Sequence, residues 1–154
     1  MDARRKKERY RRIITQLEGL LKQTEDSDAR MATVAALLHY KMEDFFWTGF
    51  YCLNKGELLV RSYQGPLACQ VLEQNKGVCW AGINGKMTII VPDVHKFPGH
   101  IACDPRSRSE IVVPVYDKKE KITGVLDVDS SFLNTFDETD AEYLEKIVEM
   151  IYSN

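Results

Sequence analysis

The residues best placed to do chemistry in this chain are an alternating pair of aspartates and four cysteines. In Leu126-Asp127-Val128-Asp129 the two acids stand two positions apart. On an extended strand both therefore project from one face. Glu110 opens the preceding apolar run Ile111-Val112-Val113, where a partner strand would bring a third carboxyl to that face. Three carboxyls around one cavity would attract an ammonium group, or would hold a shared proton through raised pKa values. A solvent-facing strand surface explains the alternation as well, and the alternation alone does not separate the two.

Three of the cysteines lie beside chain breaks. Cys103 sits in His100-Ile101-Ala102-Cys103-Asp104, Cys69 follows Gln64-Gly65-Pro66-Leu67-Ala68, and Cys79 closes Gly77-Val78-Cys79. These settings favour access over burial. At Cys79 the start of an expected helix would also stabilise a thiolate. Any one of them alone is an ordinary small core residue; the three together point to redox chemistry. Cys52 lies in an apolar run and reads as core. The chain has no CxxC pair, and Cys69, Cys79, His95, His100 and Cys103 follow no zinc spacing, so no metal is expected.

The elements that must position these residues follow from periodicity. Residues 4–23 form an amphipathic helix with Tyr10, Ile13, Ile14, Leu17, Leu20 and Leu21 on one face. The first twelve residues of the chain carry seven basic and two acidic side chains, which reads as a solvated helix face. Asp26-Ser27-Asp28 caps a second helix through Met31, Val34, Leu38 and Met42. Trp47–Leu53 and Leu58–Tyr63 flank Asn54-Lys55-Gly56 as a hairpin, Leu67–Leu72 reads as a short strand, and Met87–Val91 as another. Residues 92–109 are aperiodic and hold three prolines, two histidines and a cysteine, a long loop of the functional kind. Ser109–Asp117 and Lys121–Ser130 make a second hairpin, and Asp137 caps a final helix with Asp140 three residues on. From Asp137 to Glu149 there are six acids and one lysine, so the terminal helices could pair side by side. Surface pairing would add only a few tenths of a kcal/mol per contact.

Composition sets the outer limits. The 154 residues, 44% apolar and 29% charged, suit one globular domain that needs no disulfide or metal staple. A net charge of −2 excludes nucleic-acid binding driven by bulk charge. The basic, non-apolar N-terminus carries no signal-peptide core, and no apolar run reaches membrane-spanning length. The expected setting is the cytoplasm, where cysteines are free thiols, metal ligands or redox catalysts. The class is α+β, a mainly antiparallel sheet covered by the N- and C-terminal helices.

A resemblance adds to this reading. Trp47-Thr48-Gly49-Phe50-Tyr51, Gln64-Gly65 to Ala68-Cys69, Gly77-Val78-Cys79, Asp93-Val94-His95, Gly99 to Asp104, Ser109-Glu110-Ile111-Val112 and Gly124 to Ser130 resemble the free methionine-(R)-sulfoxide reductases. These are single-domain proteins of GAF fold. The match runs in order from about residue 45 to 131 and departs at Thr48, Trp80 and the additional Cys52. It implies one GAF domain over residues 1–154, with the basic helix of residues 1–25 included. It further implies reduction of free L-methionine-(R)-sulfoxide, a response to oxidative stress, through a cysteine sulfenic acid and an intramolecular disulfide. No cofactor is implied beyond an external thiol reductant, thioredoxin. By resemblance Cys103 is the nucleophile, Cys69 the resolving cysteine and Cys79 a third family cysteine. Glu110 and Asp129 polarise the sulfoxide oxygen and bind substrate, Asp127 holds the ammonium, and Trp47 and Tyr51 surround the methyl end. The alternative within the same fold is a non-catalytic GAF sensor of a small ligand such as a cyclic nucleotide. The sequence does not fix the oligomeric state, and a homodimer is compatible with it.

Overall fold

The computed structural model describes residues 1–100 and 103–154. The order of elements is α1 (Ala3–Leu20), α2 (Ser27–Lys41), β1 (Trp47–Asn54), β2 (Glu57–Gln64), β3 (Val71–Leu72), α3 (Gly77–Gly85), β4 (Ile89–Val91), β5 (Ser109–Tyr116), β6 (Ile122–Ser130) and α4 (Glu138–Glu149). Aspartates start three of the helices by accepting from exposed backbone N–H groups: Asp2 at α1, Asp26 at α2 and Asp137 at α4. At α4 the capping box is complete, since the Asp140 carboxylate also accepts from the Asp137 N–H at 2.9 Å. The β1–β2 hairpin turns on Lys55 and Gly56, both with positive φ (52° and 83°), the backbone that a tight two-residue turn requires.

The strands form one sheet in the order β3-β2-β1-β6-β5-β4, every neighbouring pair antiparallel. Alternation along the three middle strands sorts side chains onto two faces. Phe50, Ile111, Val113, Leu126 and Val128 face one way and form a core with α1, α2 and α4. Trp47, Tyr51, Val112 and Val125 face the other way and pack with α3. Gly82 lets α3 approach, because a Cβ there would lie 2.8 Å from Val112 Cγ1. Among the described residues, no helix is long and apolar enough to cross a membrane.

Two expectations change. Leu67–Leu72 does not form a strand over its length: only Val71–Leu72 pairs, with β2. Leu67 is exposed and Cys69 is tied elsewhere, so the first half of the segment has neither a buried face nor a ladder partner. The terminal helices do lie together, but not through surface pairs alone. Lys6 Nζ stands 2.7 Å from Asp140 Oδ2, and Tyr10 donates to Asp140 Oδ1 at 2.5 Å, with Asp140 only 1% exposed.

Candidate active site

β6 runs through the middle of the sheet, and its register sets the site. Asp129 lies opposite Trp47 on β1 and Glu110 on β5, while Asp127 lies opposite Gly49 and Val112. Two acids from one strand and one from its neighbour thus share a face, beside an aromatic row. Gly49 makes room for that row: a Cβ there would sit 2.7 Å from Trp47 Cη2 and 2.3 Å from Tyr63 Cβ. The Trp47 ring stacks on Tyr63 at 5.2 Å and on Tyr51 at 5.8 Å between centroids.

Over this face opens a cleft. Trp47, Tyr51, Glu110, Asp127 and Asp129 form its floor and wall, the first turn of α3 with Cys79 closes one side, and Leu67, Ala68, Cys103 and Asp104 border its mouth. Cys103 is joined to Cys69 by a disulfide across 34 residues, with the Cα atoms 5.6 Å apart. Cys103 lines the cleft; Cys69 stands behind it, and its backbone carbonyl accepts from the Tyr51 hydroxyl at 2.9 Å. The floor and the disulfide are therefore tied together through one side chain. Next to Cys103, Asp104 accepts from Arg106 Nε and Nη2 at 3.0 and 2.8 Å, which holds its carboxyl down at about 2.

The floor is electrostatically unusual. Burial pushes the carboxyls of Glu110, Asp127 and Asp129 up from the ordinary range, and mutual repulsion pushes Glu110 and Asp129 further. Glu110 and Asp127 are each 5% exposed and Asp129 is half-buried. Among the described residues, the groups easing the charge on Asp127 are Glu110 and the Cys79 thiol, two neutral donors that must keep their own protons to do so. The three carboxyls hold protons in common to higher pH than isolated acids would. Two buried polar atoms have no hydrogen-bond partner among the described residues, Asp127 Oδ1 and Trp47 Nε1, and both residues line the cleft. A buried polar group without a partner costs roughly 1–3 kcal/mol, so a ligand that completes both is favoured.

Of the residues singled out from sequence, Trp47, Tyr51, Cys79, Cys103, Glu110, Asp127 and Asp129 all line this one cleft, and Cys69 joins it through the disulfide. Cys79 corrects the expectation of an accessible thiolate. It is 4% exposed beneath α3 and faces Asp127, so burial first and the carboxyls second push its thiol well up, against any effect of the helix N-terminus. Cys52 is half-buried and packs against the helix-side core, with Sγ 3.9 Å from Met31 Sδ. His95 is exposed, whereas His100 lines the cleft. The loop motif from Gly99 to Asp104 includes Ile101 and Ala102, which lie outside the described residues. Sequence reasoning missed buried Ser107 and the Tyr51 hydroxyl contact. Ser107 lies within the aperiodic loop already marked as functional, but nothing in the sequence signals the Tyr51 bond.

No protein-family model matches the chain. Among curated proteins it is similar to GAF domain-containing protein A of Dictyostelium discoideum, 46% identical over 147 residues that cover 95% of this chain and 92% of that one. It is also similar to the free methionine-R-sulfoxide reductase of Saccharomyces cerevisiae, 37% identical over 95% of this chain and 85% of that one. The solved structure of free methionine-R-sulfoxide reductase from Neisseria meningitidis in complex with its substrate superposes with a TM-score of 0.87 at 40% identity, covering 92% of this chain and 85% of that one.

Proposed function

Because the chain belongs to the free methionine-(R)-sulfoxide reductase family, of GAF fold, we propose that it reduces free L-methionine-(R)-sulfoxide to L-methionine in this cleft. The observation that carries the proposal is the Cys69–Cys103 disulfide at the mouth of a cleft floored by three carboxyls. It is the oxidised product that the reaction would leave.

The residues take these parts. Cys103, the disulfide partner that lines the cleft, attacks the sulfoxide sulfur as a thiolate. Sulfoxide oxygen leaves only when protonated, and Glu110 with Asp129 supplies protons from the shared, raised-pKa set. The sulfur–oxygen bond breaks and the oxygen leaves as water, giving a sulfonium in which Cys103 Sγ is bonded to the methionine sulfur; a water then attacks Sγ, that sulfur–sulfur bond breaks, methionine departs, and Cys103 is left as a sulfenic acid. The Cys69 thiol attacks that sulfur, water leaves and the disulfide forms. The sulfoxide has then gained two electrons and the cysteine pair has lost two. Asp127, with a free buried oxygen, receives the substrate ammonium. Trp47 and Tyr51 enclose the methyl end. Cys79, buried and protonated, takes no electrons and holds Asp127 in place. Thioredoxin, acting at the exposed Cys103 side of the disulfide, returns both thiols, and in the cytoplasm the disulfide is transient. A ligand-sensing GAF domain would need neither the disulfide nor the protonated carboxyls.

The deciding assay supplies each methionine sulfoxide epimer, free and within a peptide, to the protein with thioredoxin, thioredoxin reductase and NADPH. Turnover of the free R epimer alone is the expected result. Equal rates on both epimers, or faster reduction of the peptide, would overturn the reading.

A further inference from the structure

Beside Cys103 the loop carries a charge pair that takes no part in the bond-making steps. Asp104 follows Cys103 directly and lines the same cleft. Its Oδ1 accepts from the Arg106 backbone N–H at 2.9 Å and from Nε at 3.0 Å, and its Oδ2 accepts from Nη2 at 2.8 Å. A guanidinium fork on both carboxylate oxygens fixes orientation as well as charge. An ordinary surface pair would do little more than sit in solvent, but this one is anchored. The Arg106 guanidinium lies over the Phe46 ring, 4.9 Å from its centroid. Phe46 is held in turn, since its N–H donates to the Asp129 carbonyl at 2.8 Å just before β1 begins. Two residues past Arg106, the Arg108 N–H donates to the Ser130 carbonyl at 2.7 Å. The side chain of Asp104 is 17% exposed and that of Arg106 64%, so the acid faces the cleft and the cation covers it from outside.

The need for that cation is electrostatic. Cys103 attacks as a thiolate, and a carboxylate next to it in the chain opposes a second negative charge. Asp104 is ionised wherever a thiol titrates, its carboxyl held down at about 2 by the Arg106 bonds. The other titratable groups around the cleft, among the described residues, contribute less charge. Lys76 is paired with Glu73 at 2.8 Å, burial holds His100 below its ordinary range, and the Cys79 thiol and the three floor carboxyls are pushed toward their neutral, protonated forms. Cys69, once reduced, adds a second thiol. Asp104 is the fixed anion at the mouth, and Arg106 is the cation placed to cancel it.

We propose that Arg106 is a positioning residue for the reduction: seated on Phe46, it grips Asp104 and neutralises the carboxylate beside Cys103, so that Cys103 ionises readily at the mouth of the cleft. This role rests on the reading of Cys103 as the nucleophile.

The test reads the thiol itself in the fully reduced chain. Alkylation by iodoacetamide, quenched at intervals from about pH 5 to about pH 10 and followed by peptide mass at Cys103, gives the pH at which the thiolate forms. In Arg106→Met the inflection should move to higher pH, and alkylation near neutrality should slow at least about threefold, the effect of one uncancelled charge in partly exposed surroundings. The double variant Asp104→Asn with Arg106→Met removes both charges and should return the inflection to the wild-type position. Arg106→Lys keeps the charge without the fork and should fall between. Circular dichroism establishes that each variant is folded; should Arg106→Met not fold, Arg106→Lys carries the test. A residue that only braces the loop would scale the rate at every pH and leave the inflection in place. That result, or a double variant as displaced as Arg106→Met, would overturn the proposal. Alkylation needs no methionine sulfoxide, so a wild-type chain without reductase activity would defeat the proposed function and leave this result to be read separately.

Discussion

Asp140 and Asp127 are both buried aspartates, 1% and 5% exposed, on opposite faces of the same sheet. Asp140 sits among α1 and α4 with Lys6 at 2.7 Å, the Tyr10 hydroxyl at 2.5 Å and the Asp137 N–H at 2.9 Å. Burial pushes its carboxyl up, but a cation, a hydroxyl and a backbone donor all pull the other way. Asp127 faces two further carboxyls and a thiol, has an oxygen with no partner among the described residues, and is left open to a cleft. The first arrangement is complete within the chain, and the second lacks a cation or a donor. A buried charge with its partners in place belongs to the architecture, and one without them marks where something else must bind.

The strongest way to break this contrast is to remove the sulfur chemistry from the site face. Cys103→Ser should yield no methionine even in a single turnover, while Cys69→Ser should release about one methionine per chain and then stall as a sulfenic acid. Rapid-quench measurement of methionine per chain distinguishes the two. Full multiple turnover by Cys103→Ser would reassign the nucleophile.

Removing the acid comes next. Glu110→Gln keeps the shape but not the proton, and Asp129→Asn does the same. A general acid contributes roughly 100- to 10,000-fold, so each should lose at least about 100-fold in kcat. The sign of the pH effect follows from the raised carboxyls. The folded protein keeps protons that the unfolded chain would release, so stability is full at low pH and falls as pH rises through the raised values. Activity should fall on the same alkaline side as the acid is lost. In Glu110→Gln both declines should flatten, which urea titrations and pH–rate profiles would reveal. A wild-type profile in Glu110→Gln would remove Glu110 from the acid role.

Asp127→Asn should have a smaller effect on rate than on binding. An anchor for the ammonium acts in ground and transition states alike, so KM should rise more than kcat falls. The same variant removes a buried acid that repels its neighbours and should raise stability at neutral pH. A stabilised protein with weakened substrate binding is the signature of an incomplete site.

How much of this was readable in the sequence depends on the range of the interaction. The shared face of Asp127 and Asp129 follows from strand alternation alone, and the caps at Asp26 and Asp137 follow from local hydrogen bonding. That Glu110 stands opposite Asp129 needed only the hairpin register. The pairing of Cys69 with Cys103 spans 34 residues, and only the family resemblance anticipated it. The burial of Cys79 was invisible because it depends on how closely α3 lies on β5, a matter settled by Gly82 against Val112. Lys6 read as one of seven basic residues on a solvated helix; its contact with Asp140 bridges 134 positions and has no local signal.

The smallest effect on activity is expected at Asp140, and it tests the other half of the contrast. Asp140→Asn retains an oxygen for the Asp137 N–H or the Tyr10 hydroxyl but leaves Lys6 without its main partner. Breaking a buried ion pair on one side costs roughly 3–5 kcal/mol when the remaining charge has nowhere to go. Here Asp137 lies 3.5 Å from Lys6 Nζ and is more than half exposed, and the Thr135 carbonyl accepts at 3.3 Å, so the lysine can shift outward. The expected loss is therefore smaller, about 2 kcal/mol, read as a lower urea midpoint at unchanged slope. kcat/KM for methionine sulfoxide, measured well below the melting temperature, should stay at the wild-type level, because the sheet separates Asp140 from the cleft. Pairing the change with Lys6→Met should restore most of the lost stability, since it removes the buried charge left without its partner while the asparagine keeps a hydrogen-bond acceptor for its neighbours. A fall in kcat/KM that tracks the loss of stability would mean the two faces are coupled, and Asp140 would then belong to the site as much as to the fold.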